Sequence, residues 1–550
     1  MEAKMKRYCL NVAGALAACL MSVSSCIRMD GTDSPQDEKE PELVNAWLSL
    51  KLNVVSSGAK TKVSDDVEGA TNGDIDENAI KHLAMWLVPV DDNGVEDWDE
   101  TIMTYNQNVN LNSLDTYIAP VKARLNVPMN LYVAANITTS VAGAFLEGGP
   151  EAVYNAVSDD YQETISEFAS TERGIAMFCM KKASIIFDDT NSERTTPAKI
   201  DEDGDGETEN VDLVRMLAKV HMLFRCYDYP NDGFVRITEP GSLIEAPFGK
   251  FGWSRMEDIS YILNTVNTGT RILQSAYGGP YDSFTDINHS MSDLLMKGNE
   301  WKYKAEAADQ FIGFEGDLFS DDWNARAAKP EIYDRTRAPF GSANPYYRGL
   351  YCLENTTNDD LLDQMTDDEK KYVPFKVATH LIVKARFVPR YIYTVASDGS
   401  LAEIDHGADG YDAALAYLTE VTGENEDGKP HTYPAGTFFT QDMQNFYDYA
   451  GMLKLIEADP ELSRKNFAAY PGGYGLYYSY IYGGEDTHTG QVTFAGTDSG
   501  VFRNHYHFLT CSLMKVPATP GSINQLMMVN SKVVEWNDMG KQEITVKPNI

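Results

Sequence analysis

Basic residues are scarce in this 550-residue chain: 46 Lys and Arg stand against 82 Asp and Glu, a net charge of −36. Such a field repels phosphate backbones and anionic headgroups, which argues against a nucleic-acid or anionic-lipid binder. Cysteine is sparse too, with seven in all. Cys179, Cys226, Cys352 and Cys511 are spaced too widely and irregularly for a metal finger or a CxxC pair, so they read as buried thiols with one disulfide left open. Beyond the first 25 residues no apolar run is long enough to span a bilayer. Catalytic signatures are missing: there is no GxSxG, no HExxH, no phosphate loop and no GxGxxG between a strand and a helix. Paired carboxylates carry no information about glycosidase chemistry in a chain with 82 acids. The chain reads as a non-enzyme.

What is present begins with an address. Lys4, Lys6 and Arg7 precede an apolar, small-residue run from Cys9 through Met21, followed by Val23-Ser24-Ser25-Cys26. This pattern resembles a bacterial lipoprotein signal spanning residues 1–25, with Cys26 as the lipid acceptor and Cys19 as the alternative. Residues 26–42 follow as a tether, rich in acids and proline and too poor in aliphatic side chains to fold.

Strand signals dominate the rest. Val44, Ala46, Leu48, Leu50, Leu52 and Val54 alternate with mostly polar neighbours, the period of a half-buried strand, with Trp47 and Val55 as exceptions. Residues 80–94 run from a strand into an Asn-Gly turn, and 130–138 form another compact strand. Short helices are expected around 159–169 and 442–457. Thr366-Asp367-Asp368-Glu369 reads as a helix N-cap. Many short strands, 41 glycines, 23 prolines and no βαβ alternation predict an all-β protein, mainly β with short helices, built as sandwiches. The domain change is expected near residue 270, giving domains over 43–270 and 271–530 and a C-terminal segment over 531–550.

Several segments together resemble the fimbrillin family of Bacteroidales pili, the FimA-type and Mfa-type major subunits. They are IKHLAMWLVPVDDNG at 80–94, NLYVAANIT at 130–138, LVRMLAKVHMLFRC at 213–226, YCLENTT at 351–357, ATHLIVKARFVP at 378–389 and GVFRNHYHFLTCSLM at 500–514. The resemblance implies two consecutive transthyretin-like β-sandwich domains, lipoprotein export to the outer membrane, trimming by a trypsin-like protease, and polymerisation with copies of itself and accessory subunits into a surface fimbria. In that reading the strand 44–54 is displaced. A neighbour's C-terminal segment, with Val534, Trp536, Ile544, Val546 and Ile550 on one face, takes its place.

The residues offer a matching cleavable stretch. Ser56 through Lys62 is small and polar, and Lys60 and Lys62 are its basic residues. Family members are often cut after Arg, and no Arg stands between Arg28 and Arg124. An ordinary hairpin loop in an uncleaved subunit is the competing reading. A monomeric outer-membrane lipoprotein adhesin or glycan-binding protein is the competing function.

Two motifs suggest ions. Asp201, Asp203, Asp205, Glu207, Glu209 and Asp212, with Gly206 at the sharp turn, have the spacing of a calcium loop. A solvated acidic hairpin explains them as well. His505 and His507 share one face of a strand, where packing is favoured over metal. The aromatics of YGLYYSYIYGG at 474–484 could stack on sugars, though alternation on a sandwich face accounts for them.

Overall fold

The computed structural model describes residues 43–54, 77–156, 160–201, 203–225, 255–273, 321–329, 331–333, 349–356, 379–416, 418–421, 431–481, 500–501, 503–512 and 528–535, with short strands at 235–236, 296–297, 300–301 and 311–312. The chain divides into two compact units, residues 1–42 and 43–550. The first unit, which holds Cys19 and Cys26, lies outside the described residues. No helix among the described residues is long and apolar enough to cross a membrane.

The principal strands of the first region are β1 (Leu43–Val54), β2 (Leu83–Pro89), β3 (Ile102–Asn106), β4 (Thr116–Arg124), β5 (Pro128–Ala135), β6 (Met177–Cys179), β7 (Ala183–Ile186), β8 (Ala198–Lys199) and β9 (Asn210–Arg215). They form one nine-stranded sheet in the order β8-β1-β9-β6-β5-β2-β3, with β4 on β1 and β7 on β5. All seven residues of β2 are buried, as its near-continuous apolar sequence requires of a strand covered on both faces. One cover is α1 (Thr139–Gly148), whose N-terminus is capped by the Thr138 hydroxyl accepting from Val141 N at 3.3 Å. Its Phe145 meets Trp86 and Phe178 edge-on at centroid distances of 4.9 and 4.6 Å.

The second region contains β10 (Leu217–Arg225), β11 (Arg255–Asn264), β12 (Glu331–Tyr333), β13 (Leu350–Leu353), β14 (His380–Val388), β15 (Tyr391–Val395), β16 (Leu401–Asp405), β17 (Phe438–Thr440), β18 (Phe446–Tyr447), β19 (Ala468–Tyr470), β20 (Tyr474–Tyr480), β21 (His505–Ser512) and β22 (Met528–Glu535). One sheet runs β12-β10-β21-β22 with β13 on β10, and another places β11, β14 and β20 side by side. Leu217, Val220 and Leu509 of the former and Tyr261, Leu381 and Val383 of the latter belong to one buried cluster that also takes in Leu48, Leu50 and Leu52 of β1. The all-β expectation with short helices holds, in two consecutive sheet regions.

Residues near 270 still meet the first region, where Gly269–Arg271 pairs with Val153–Asn155. Strands β10 and β11 pair with β21 and β14, far along the chain, so the change of sheet falls at Met216, between β9 and β10. An apolar run crosses this point without a Gly or Pro break, and the sequence carries no boundary signal there.

Strands β14 and β20 pair directly, from His380↔Tyr480 to Arg386↔Tyr474. The residues between them form a separate five-stranded sheet in the order β16-β15-β18-β17-β19. Against it lies α3 (Tyr449–Ala458), α2 being Tyr161–Phe168 in the first region. The helix expected from 442 starts at 449, because Asp442 closes a turn by accepting from Gln444 N and Asn445 N, and Asp448 then caps the helix through Gly451 N at 2.6 Å. A Cβ on Gly451 would lie 2.3 Å from Tyr393 O, so only glycine lets α3 approach β15 this closely. The Asn-Gly turn forms as expected, with Gly94 at φ +81° and Asp91 accepting from Asn93 N and Val95 N.

That turn is fastened to β5 by Glu96. Its Oε1 accepts from Lys182 Nζ (2.6 Å), Asn130 Nδ2 (2.6 Å) and Tyr132 OH (2.8 Å), and its Oε2 from Trp98 Nε1 (3.1 Å). Burial pushes the Glu96 carboxyl up, but the hydrogen bonds from Lys182, Asn130 and Tyr132 outweigh it and hold the group below its usual 4.5. Replacing Glu96 by Ala strands three part-buried donors and should cost about 2 kcal/mol in chemical denaturation at pH 7. A carboxyl with a depressed folded pKa stabilises above its unfolded value and loses that contribution as pH falls through the folded one. The difference between wild type and Glu96→Gln should therefore shrink as pH drops below 4.5.

Candidate functional site

The strand expected over 44–54 exists as β1, and its parity is as read: Ala46, Leu48, Leu50, Leu52 and Val54 are buried, with Val44 half-buried. Trp47, the exception to the alternation, lies half-buried under the Arg194 guanidinium at 5.5 Å. An edge strand is the simplest to displace, because it has one ladder to open. β1 is not one: it is internal. On one side it pairs antiparallel with β4 from Leu43↔Arg124 to Lys51↔Thr116, and residues 113–115 carry the contact to its end through Leu114 N to Leu52 O and Val54 N to Ser113 Oγ. On the other side it pairs parallel with β8 at Leu48 and Ser49 and with β9 from Lys51 to Val54. The physical reason is long-range pairing: β4 returns on one flank and β8 and β9 on the other, while Leu48, Leu50 and Leu52 lie buried on a single face of the strand.

This internal place changes what removal of β1 would leave. Among the described residues β4 and β8 have β1 as their only ladder partner. Without β1 there would be a slot between two strands, each presenting unpaired backbone groups over an apolar floor. A single extended segment with alternating apolar side chains satisfies both rows.

The acidic loop meets the same strand. Residues 200–209 join β8 to β9, the two strands on one flank of β1, and Thr208 Oγ1 lies 3.3 Å from Ser49 Oγ. Asp201, Asp203 and Asp205 converge, with one carboxylate oxygen of each lying within 4.8 Å of the others, all exposed. Gly204 and Gly206 take φ of +78° and +82°, which lets Asp201 accept from both of their amides at 2.7 and 3.0 Å. The other three expected ligands do not join this group. Glu209 accepts from Asp203 N, Glu207 is outside the cluster, and Asp212, already inside β9, accepts from Asn53 Nδ2 of β1 at 2.7 Å. Residue 212 is drawn away because its backbone is in register with Asn53.

At the other end of the chain, the expected donor segment divides. Val534 belongs to β22, paired with Tyr506 of β21, so residues 531–535 are part of the body's own sheet. Trp536, Ile544, Val546 and Ile550 lie outside the described residues, as do Lys60, Lys62 and Thr366–Glu369. His507 is buried within β21. Cys179 and Cys352 are free buried thiols, and burial pushes Cys179 up to about 12. Tyr477 is buried in β20 together with its neighbour Leu476, so the strand does not alternate there.

Sequence reading missed a set of buried charges. Glu77 and Lys219 have no exposed side-chain surface and form an ion pair at 2.6 Å. Tyr351 OH donates to the same carboxylate, and Arg215, wholly buried, donates to Glu77 O (3.2 Å) and Asn504 Oδ1 (3.1 Å). Burial lowers Arg215 to about 10, with Glu77 and Tyr351 acting the other way. The signal was a charge at 215 and another at 219 inside the apolar run LVRMLAKV, since a charge within a buried strand needs a buried partner.

No family model matches the chain, and no curated protein matches it. Solved structures do. A "putative cell adhesion protein" from Parabacteroides distasonis is similar over 90% of this chain and 100% of its own, at 12% identity and a TM-score of 0.41. The tip fimbrial protein Mfa3 from Porphyromonas gingivalis is similar over 90% and 100%, at 12% identity and 0.32. A fimbrilin (FimA) from the same organism is similar over 89% and 97%, at 10% identity and 0.34.

Because Leu50 is wholly buried, Leu50→Ala should cost about 2–5 kcal/mol of stability, read from denaturant midpoints at constant m. Truncation of Leu43, half exposed at the strand's start, should be near neutral in the same assay.

Proposed function

We propose that the chain is a non-enzymatic structural subunit of the shaft of a bacterial surface fimbria that serves cell adhesion. It is exported as a lipoprotein on Cys26, trimmed by a trypsin-like protease after Lys60 or Lys62, and polymerised by strand exchange with copies of itself and accessory subunits. The observation that carries this reading is the seat of β1: an amphipathic strand near the start of the folded body, paired on both flanks, whose loss leaves a slot shaped for another strand. Filling that slot buries several aliphatic side chains at about 1.5–3 kcal/mol each, on top of two rows of backbone bonds. The C-terminal positions Ile544, Val546 and Ile550 have the matching alternation, and the resemblance to fimbrillins supports the same assignment.

Truncation after Gly540 should yield a folded, soluble monomer that forms no fibres in electron micrographs, and Lys60→Ala with Lys62→Ala should accumulate the uncut precursor. Fibres of normal length from the truncated chain would overturn the donor-strand role, and absence of fibres from the intact, cut chain would favour the monomeric lipoprotein adhesin.

We also propose that the acidic loop holds a calcium ion, a reading favoured by the convergence of Asp201, Asp203 and Asp205. Calcium should then raise the melting temperature by mass action on the folded state, and Asp201→Ala with Asp203→Ala should abolish the gain. An unchanged melting temperature in the wild type leaves a solvated hairpin.

A further inference from the structure

The two ends of the segment 55–76 are secured by sets of contacts that share only β9, whose last residue, Arg215, reaches the downstream end. Upstream, β1 is held by β4, β8, β9 and residues 113–115. Downstream, Glu77 is locked to Lys219 and Tyr351, and Arg215 donates to Glu77 O and Asn78 Oδ1. The next residues are riveted as well. Asn136, buried at φ +58°, donates to Ala79 O at 2.7 Å and accepts from Lys81 N at 2.8 Å and His82 N at 3.2 Å. Ile80 exchanges both backbone bonds with Leu111. None of these downstream partners belongs to β1.

We infer that cutting the chain between β1 and Glu77 does not by itself open the slot. The cut protein is a self-complemented complex in which β1 stays seated, and β1 leaves only when a competing strand of alternating apolar side chains, such as a segment of a second copy, takes over its ladders. Two features make this so. Loss of β1 would leave β4 and β8 without a ladder partner among the described residues, along with the floor under Leu48, Leu50 and Leu52. And Glu77, the first described residue after the cut, is buried in an ion pair with Lys219 of the second region, so the body beyond it is anchored independently of β1. Processing then arms the subunit, while strand competition sets the time of joining. The biological use of this device rests on the strand-exchange reading; its physical basis does not.

The test uses the full chain with residues 56–62 replaced by the recognition sequence of a site-specific protease. After complete cutting, the fragment carrying β1 should co-elute with the body in size exclusion. The amides of residues 46–54 should keep hydrogen-exchange protection within about tenfold of the uncut chain, and those of Lys81 and His82 should be unchanged. Isotope-labelled peptide 43–54 in excess should enter the complex and release the original fragment. Separate elution of the fragment, or free exchange at 46–54 straight after cutting, would overturn the inference, whether or not the protein goes on to polymerise.

Discussion

A strand inside a sheet must satisfy two rows of backbone groups at once, and β1 is the strand on which this constraint falls. It connects β4 on one flank with β8 and β9 on the other, and the side chains it sends inward, Leu48, Leu50 and Leu52, are completely covered. Taking it away costs more than its own contacts. Backbone groups on both neighbours lose their partners, and buried unpaired groups are expensive. The slot therefore demands a strand, and any strand that meets its length and alternation will serve. The same geometry gives the fold its stability and, under the strand-exchange function proposed above, is what would join one subunit to the next.

The second organising feature is charge placed where water does not reach. Arg215 ends β9 and Lys219 lies in β10, on either side of the turn from the first sheet to the second, and both reach toward the Glu77 segment. Arg503, just before β21, is held likewise by Glu354 at 3.3 Å and by Thr270 and the carbonyls of Arg271 and Ile272. Buried ion pairs add little net stability against apolar replacements, yet a mispaired one is costly. Such groups specify which segments meet. Here they fix where Glu77 sits in the body and how residues 269–273 seat against the turn before β21.

The acidic loop gains its meaning from this frame. As sequence it is a cation-loop pattern with an imperfect last ligand. In the fold it spans the gap between the two strands that flank β1 on one side, and Asp212 is committed to Asn53 of β1 itself. Anything that orders residues 201–209 also orders the wall of the slot.

Periodicity alone determined that β1 is a strand and which of its side chains point inward, because the two-residue repeat is a property of the backbone. The Asn-Gly turn, the strand after Pro128, and the absence of βαβ order were legible for the same local reason, and the fimbrillin-like segments pointed to the class of fold. Whether β1 is edge or centre was not legible, since the number of neighbours depends on where β4, β8 and β9 return, tens to more than a hundred residues away. The change of sheet at Met216 was hidden because an unbroken apolar run passes from one sheet into the next. The scatter of the six acids was hidden because register with Asn53 draws Asp212 out of the loop. In each case the sequence set what a segment can do alone, and long-range strand pairing, which no local pattern encodes, decided which neighbours it would have.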